Sequence, residues 1–113
     1  MKIAARCSPA QMRTLVAALK HERRAVHVIE FRIAREGAAF SMDASDRERS
    51  LSYYVGARAK EMTTCLALVR HELLAFASHG AVHGAFRLTQ RGRVLAEAEI
   101  ARDDAIAGGA STR

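Results

Sequence analysis

Residues 26–33 read VHVIEFRI, and the reading of this stretch decides the fold. Val26, Val28, Ile29, Phe31 and Ile33 give it the β-branched and aromatic density of a strand. Ile29, Phe31 and Ile33 would share one face of that strand, with Val28, Glu30 and Arg32 on the other. Arg35-Glu36-Gly37 follows as a turn signal, because Gly accepts a positive φ. AAFSMDA (38–44) then reads as a second strand with Phe40 and Met42 inward. The expectation is a hairpin over 26–44.

Upstream, Ser8-Pro9 marks a helix start, with Ser as N-cap and Pro at the first helical position. Met12, Leu15, Val16 and Leu19 form one apolar stripe. Lys20, His21, Arg23 and Arg24 crowd the end, where cations complement the helix dipole. Residues 1–7 are short and partly alternating, and read as a strand.

The segment 11–22 (QMRTLVAALKHE) recurs as 61–72 (EMTTCLALVRHE) at an offset of 50. The stripe Met12/Leu15/Val16/Leu19 falls on Met62/Cys65/Leu66/Val69. AVH (25–27) recurs at 81–83, and FRIAREG (31–37) as FRLTQRG (86–92). The repeat predicts a strand at 51–57, a helix from Ala59 to Ala77, a strand through 81–89 with Val82, Phe86 and Leu88 inward, a turn at Gln90-Arg91-Gly92, and a strand at 93–100.

The expected fold is therefore α+β: a two-layer sandwich of two pseudo-equivalent βαββ units, 1–44 and 51–100. Both helices would lie on one face of a mainly antiparallel sheet. The domain spans 1–102, and 103–113 is expected as a flexible tail. Glu30, Arg32, Ser41, Asp43, His83, Arg87 and Thr89 would make the open sheet face polar. An all-helical bundle would require 26–33 to be helix against its composition.

Three family resemblances bear on this. Two strand–helix–strand units in so short a chain resemble the tautomerase superfamily in size and architecture. That family uses an N-terminal proline; here residue 2 is Lys2 and the one proline is Pro9, so the resemblance implies fold and not activity. The βαββαβ order of 1–89 is similar to ferredoxin-like folds. FRLTQRGRVLAEA (86–98) resembles the segment after the recognition helix of winged-helix DNA-binding regulators, where a strand ending in Leu-Thr leads through a Gly turn to a helix. Leu51 to Cys65 can also be laid on a helix-turn-helix with Gly56 at the turn. This resemblance implies a winged helix and a DNA-binding regulator.

The chain has 113 residues and a formal charge of +6. Residues 1–40 hold eight Lys/Arg against three Asp/Glu, so the excess is concentrated there. Fifteen of the eighteen basic residues are Arg, which suits bidentate contact with phosphate or carboxylate. Arg23, Arg24, Arg32 and Arg35 form one candidate partner- or phosphate-binding cluster; Arg87, Arg91 and Arg93 form its counterpart. Aromatics are only 5% of the chain, and Phe31 and Phe86 are assigned to the core, so no base-stacking platform is indicated.

Catalytic signals are missing. There is no HExxH, GxSxG, Walker loop or GxGxxG. His79 and His83 have a metal-like spacing but straddle a loop, so no metal or cofactor is assigned. Cys65 reads as a small core residue, and Cys7 and Cys65 as reduced thiols. His21 and His71 are expected to face solvent. No run approaches the roughly 18 apolar residues of a membrane span, and no signal-peptide pattern opens the chain.

The functional expectation is a small basic, non-enzymatic binding or regulatory protein, cytoplasmic and homodimeric or otherwise self-associating. Its partner would be an acidic macromolecule: nucleic acid, or a protein of a nucleic-acid-handling machine that it inhibits. The alternatives are the winged-helix regulator and a tautomerase-like isomerase using His21, His71 or His83 at a subunit interface.

Overall fold

A computed structural model describes residues 7–78 and 84–111. Among them the chain runs α1 (Pro9–Glu36), a 3-10 turn (Gly37–Ala39), α2 (Ala44–Leu51), β1 (Tyr53–Tyr54), α3 (Lys60–Arg70), β2 (Leu74–Phe76), β3 (Ala85–Leu88) and α4 (Gln90–Ser111). The architecture is mostly helical around one small sheet. The two-layer sandwich of βαββ units is therefore overturned.

The decisive difference lies at 26–33. VHVIEFRI is not a strand but the second half of α1, a single helix of 28 residues. Ser8 and Gln11 close a reciprocal capping box at its start, with Pro9 in the first turn. Gly37 ends it at φ 58, donating its N–H to the Ile33 carbonyl. No Gly or Pro interrupts 10–36, so a helix once nucleated continues through the β-branched run. The hairpin expected over 26–44 is absent: 38–43 holds the end of the 3-10 turn and a connection, and Asp43 caps α2 by accepting from Asp46 N at 2.8 Å.

The second half departs similarly. Of 51–57, only Tyr53 and Tyr54 are strand. The helix expected over Ala59–Ala77 stops at Arg70, and Leu74–Phe76 pairs as a strand instead. Gln90-Arg91-Gly92 is the first turn of α4, and 93–100 is helix, as its alanines and glutamates favour. α4 continues to Ser111, across most of the stretch expected as a tail. Residues 1–6 of the strand expected at 1–7 and part of that at 81–89 lie outside the described residues, and Cys7 is not in a strand.

The sheet is antiparallel in the order β1-β3-β2, with Tyr53 opposite Phe86 and Leu74 opposite Leu88. α1 packs against α3, α4 and β3. Leu15, Leu19, Cys65, Leu68, Leu73, Leu74, Phe86 and Ala96 make the core, each at most 1% exposed. The expected α1 stripe points inward, with Leu15 and Leu19 buried and Met12 and Val16 half-buried. On α3 the stripe turns by one position: Cys65 and Leu68 are buried, while Leu66 is exposed.

The Leu-Thr-x-x-Gly sequence at 88–92 docks the start of α4 on the turn after α3. Thr89 Oγ1 accepts from Gly92 N at 3.0 Å, capping α4, and donates to the Glu72 carbonyl at 2.7 Å. Thr89 N donates to the Leu73 carbonyl at 3.3 Å. Gly92 is needed for contact: a Cβ there would lie 2.0 Å from the Leu73 oxygen. The turn that α4 docks on contains Glu72 at φ 63, a left-handed conformation costly to a residue with a Cβ.

Candidate nucleic-acid interface

The seven expected arginines do not form two matching patches. Arg23, Arg24, Arg32 and Arg35 all lie on the exposed second half of α1. Arg23 approaches Glu97 at 3.8 Å, and Arg32 pairs with Glu36 at 3.2 Å while its guanidinium sits over the Phe40 ring. Arg35 lies over Phe31, 5.8 Å from the ring centroid. Arg91 meets Glu72 at 3.5 Å on the surface.

Arg87 and Arg93 turn inward to Glu22. Arg93 donates through Nε and Nη2 at 2.9 and 3.0 Å, and Arg87 through Nη2 at 3.2 Å. Arg87 Nη1 also donates to Glu48, whose other oxygen accepts from Ser78 N at 3.2 Å. One clasp thus joins α1, α2, β3 and α4. Burial opposes ionisation of Glu22, but the hydrogen bonds and charge of Arg93, then those of Arg87, outweigh it and hold the carboxyl below its usual range. Burial likewise works against Glu48, and the Ser78 N–H and Arg87 prevail. Glu22, next to the expected solvent-facing His21, is 9% exposed. The sequence signal for it was available: position 22 continues the stripe of Leu15 and Leu19 at helical spacing.

Of the cationic groups without an ion pair among the described residues, Lys20, Arg24, Arg35 and Arg47 lie along α1 and α2, and four others gather around α3. Met62, Cys65, Leu68 and Val69 hold α3 to the body. Lys60, Thr63, Leu66 and Arg70 lie along its opposite, exposed face. Arg58 precedes the helix, and Arg13 of α1 shares a depression with Tyr53, Lys60 and Thr64. Arg13, Arg58, Lys60 and Arg70 have no ion pair among the described residues. No side chain caps the N-terminus of α3, where Ala59 stands. Sequence reasoning missed this face because the echo with 11–22 directed attention to the inward stripe.

Among the described residues the remaining groups form no catalytic constellation. His21 sits between α1 and α2, its Nε2 3.1 Å from the Ser50 carbonyl oxygen and its ring edge-on to Tyr53. His71 is exposed at the far end of α3, and His79 and His83 lie outside the described residues. Cys65 is fully buried; burial, then Glu61, pushes its thiol up to about 11, so it stays protonated and inert at neutral pH. Burial also raises the Cys7 thiol. Among the described residues no three His, Cys, Asp or Glu side chains gather to hold a metal ion. An open groove of about 1020 Å³ is lined by Val69, Glu72, Leu74, Phe76, Arg91 and Val94. Among the described residues no helix is long and apolar enough to cross a membrane.

No protein-family model, no curated protein and no solved structure matches the chain.

Proposed function

We propose that the protein is a non-enzymatic binder of duplex DNA, with α3 entering the major groove and the β2–β3 hairpin beside it. The observation that carries this reading is the outward face of α3. It presents Lys60, Thr63, Leu66 and Arg70 to solvent on a helix whose other face is anchored in the core. An α-helix fits the major groove, and threonine and small apolar groups can contact base edges there. Arg13, Arg58 and Arg70 would meet phosphates, as would the uncapped first-turn N–H groups of α3. The helix–strand–helix–strand–strand–helix order from α2 to α4 supports the same reading, and so does the resemblance of 86–98 to winged-helix regulators. A regulator of this kind would act as a homodimer, which suits two half-sites related by a two-fold axis.

Fluorescence anisotropy with a labelled duplex tests it. Binding at about 50 mM salt should weaken steeply as salt rises, with a log–log slope reporting the phosphates neutralised. Lys60→Glu with Arg70→Glu should lower affinity at least about tenfold without changing the fold, since both are exposed and unpaired. No binding to duplex DNA at low salt, or equal binding by the double variant, would overturn the proposal. An acidic protein surface would then be the partner to seek.

A further inference from the structure

The second half of α1 carries large apolar side chains among its arginines, and the fold leaves most of them open. Ile29 is 3% exposed; Val26, Val28, Phe31 and Ile33 are 38, 53, 54 and 45% exposed. Exposed apolar side chains this closely spaced mark a contact surface. The molecule is also extended for its length: its radius of gyration is 16.0 Å, against about 13 Å for a compact chain of this size.

We propose that a second copy of this chain covers this half-helix, and that the contact is reciprocal: residues 24–35 of one protomer lie along residues 94–105 of the partner's α4, twice about a two-fold axis. This inference does not depend on DNA binding. It rests first on matching faces. Arg24, Val28, Phe31 and Arg35 recur at spacings of four, three and four along α1. Val94, Ala98, Ala101 and Ala105 recur at the same spacings along the exposed face of α4, with Val94 54% exposed. Such faces can interdigitate along their whole length, the bulky Phe31 against small alanines.

Charge complementarity is the second ground. Arg24 and Arg35 bracket the α1 face, and neither has an ion pair among the described residues. Glu97 and Asp104 flank the α4 face; Asp104 has no ion pair among the described residues, and Glu97 has only the long contact to Arg23. Antiparallel pairing of α1 with its own copy would bring Arg24 toward Arg35 and oppose like charges. Each face is about 18 Å long and about 10 Å wide. The reciprocal arrangement uses two faces per protomer, about 360 Å² in all, which makes a small contact beside the about 800 Å² per partner of a standard interface.

Sedimentation equilibrium on the intact chain tests it, with far-UV circular dichroism as the folding control. The wild-type chain should be dimeric in the micromolar range. Arg24→Glu with Arg35→Glu makes both faces acidic and should give a monomer. Glu97→Lys with Asp104→Lys makes both faces basic and should also give a monomer. Mixed one to one, the two variants become complementary at both contacts and should form a heterodimer. A wild-type monomer at all concentrations would overturn the proposal and assign the face to a different protein. If the Glu97/Asp104 variant dimerises like wild type, α4 is not in the interface and the proposal also fails. So it does if the folded variants stay monomeric when mixed.

Discussion

Replacing Gly92 by Ala sets two effects of opposite sign against each other. In an ordinary helix the change stabilises, by about 1 kcal/mol at most. Here the new Cβ would lie 2.0 Å from the Leu73 oxygen and 2.9 Å from its carbonyl carbon. A flexible side chain cannot yield, because both atoms are backbone. The first turn of α4 must move away from the α3–β2 connection by more than 1 Å, to about a normal contact distance. That motion breaks or stretches Thr89 N to Leu73 O and Thr89 Oγ1 to Glu72 O, at 3.3 and 2.7 Å. Two hydrogen bonds at about 1 kcal/mol each and an overpacking term of about 1–3 kcal/mol outweigh the propensity gain. The net cost is roughly 2–4 kcal/mol, a fall in Tm of about 10 °C for a chain of this length. Urea denaturation of wild type and Gly92→Ala measures it. A variant as stable as wild type, or more so, would show that α4 does not dock on Leu73 and would refute the explanation given for the Leu-Thr-x-x-Gly sequence.

Two further outcomes follow from neighbouring geometry. Glu72→Gly should stabilise the fold by about 1 kcal/mol, because φ 63 is unstrained only for glycine and the lost pair with Arg91 is exposed; a lower urea midpoint would contradict this. The lowered pKa values of Glu22 and Glu48 mean that their stabilisation is complete above the unfolded carboxylate pKa of about 4.3 and is lost as pH falls through the folded values. Urea midpoints measured from neutral to acid pH should drop through that window, and Glu22→Gln should flatten the drop while costing roughly 2–3 kcal/mol at neutral pH, since Arg87 and Arg93 lose the shared negative charge and one of its two acceptor oxygens. An unchanged acid limb in Glu22→Gln would place the titrating groups elsewhere.

The start of α1 was legible in the sequence, but its second half and its end at Gly37 were not. Ser8-Pro9 and Gly37 are strong punctuation, and nothing between them stops a helix. VHVIEFRI was read as a strand because five of its eight residues favour one. That preference spans only about 1 kcal/mol per residue and bends to context. The helical spacing that runs from Leu15 and Leu19 through Glu22 to Val26 and Ile29 was the better guide. The offset of 50 misled in the same way. It reflects two helices with similar inward faces, not two similar units, and it forced 93–100 into a strand against its alanines. The two arginine clusters expected from the sequence could not be sorted by sequence into solvated and inward-facing groups. Whether Arg93 meets solvent or Glu22 depends on a partner 71 positions away. The outward face of α3 lacks a distinctive motif, since Lys60, Thr63 and Arg70 are ordinary surface residues until the opposite side is known to be anchored.

The clasp around Glu22 also constrains the order in which the chain can be completed. Its carboxylate is emplaced early, on α1, while Arg87 and Arg93 come 65 and 71 residues later. Until they arrive, closing the N-terminal helices over Glu22 would bury an uncompensated charge. A nascent chain that has reached only α3 therefore has reason to stay open. Non-local closure of this kind is slow, and it makes the last helix the step that commits the whole domain. A ribosome-bound chain ending before Arg87 should remain protease-sensitive throughout, and protection should appear across all elements together once Arg93 has emerged.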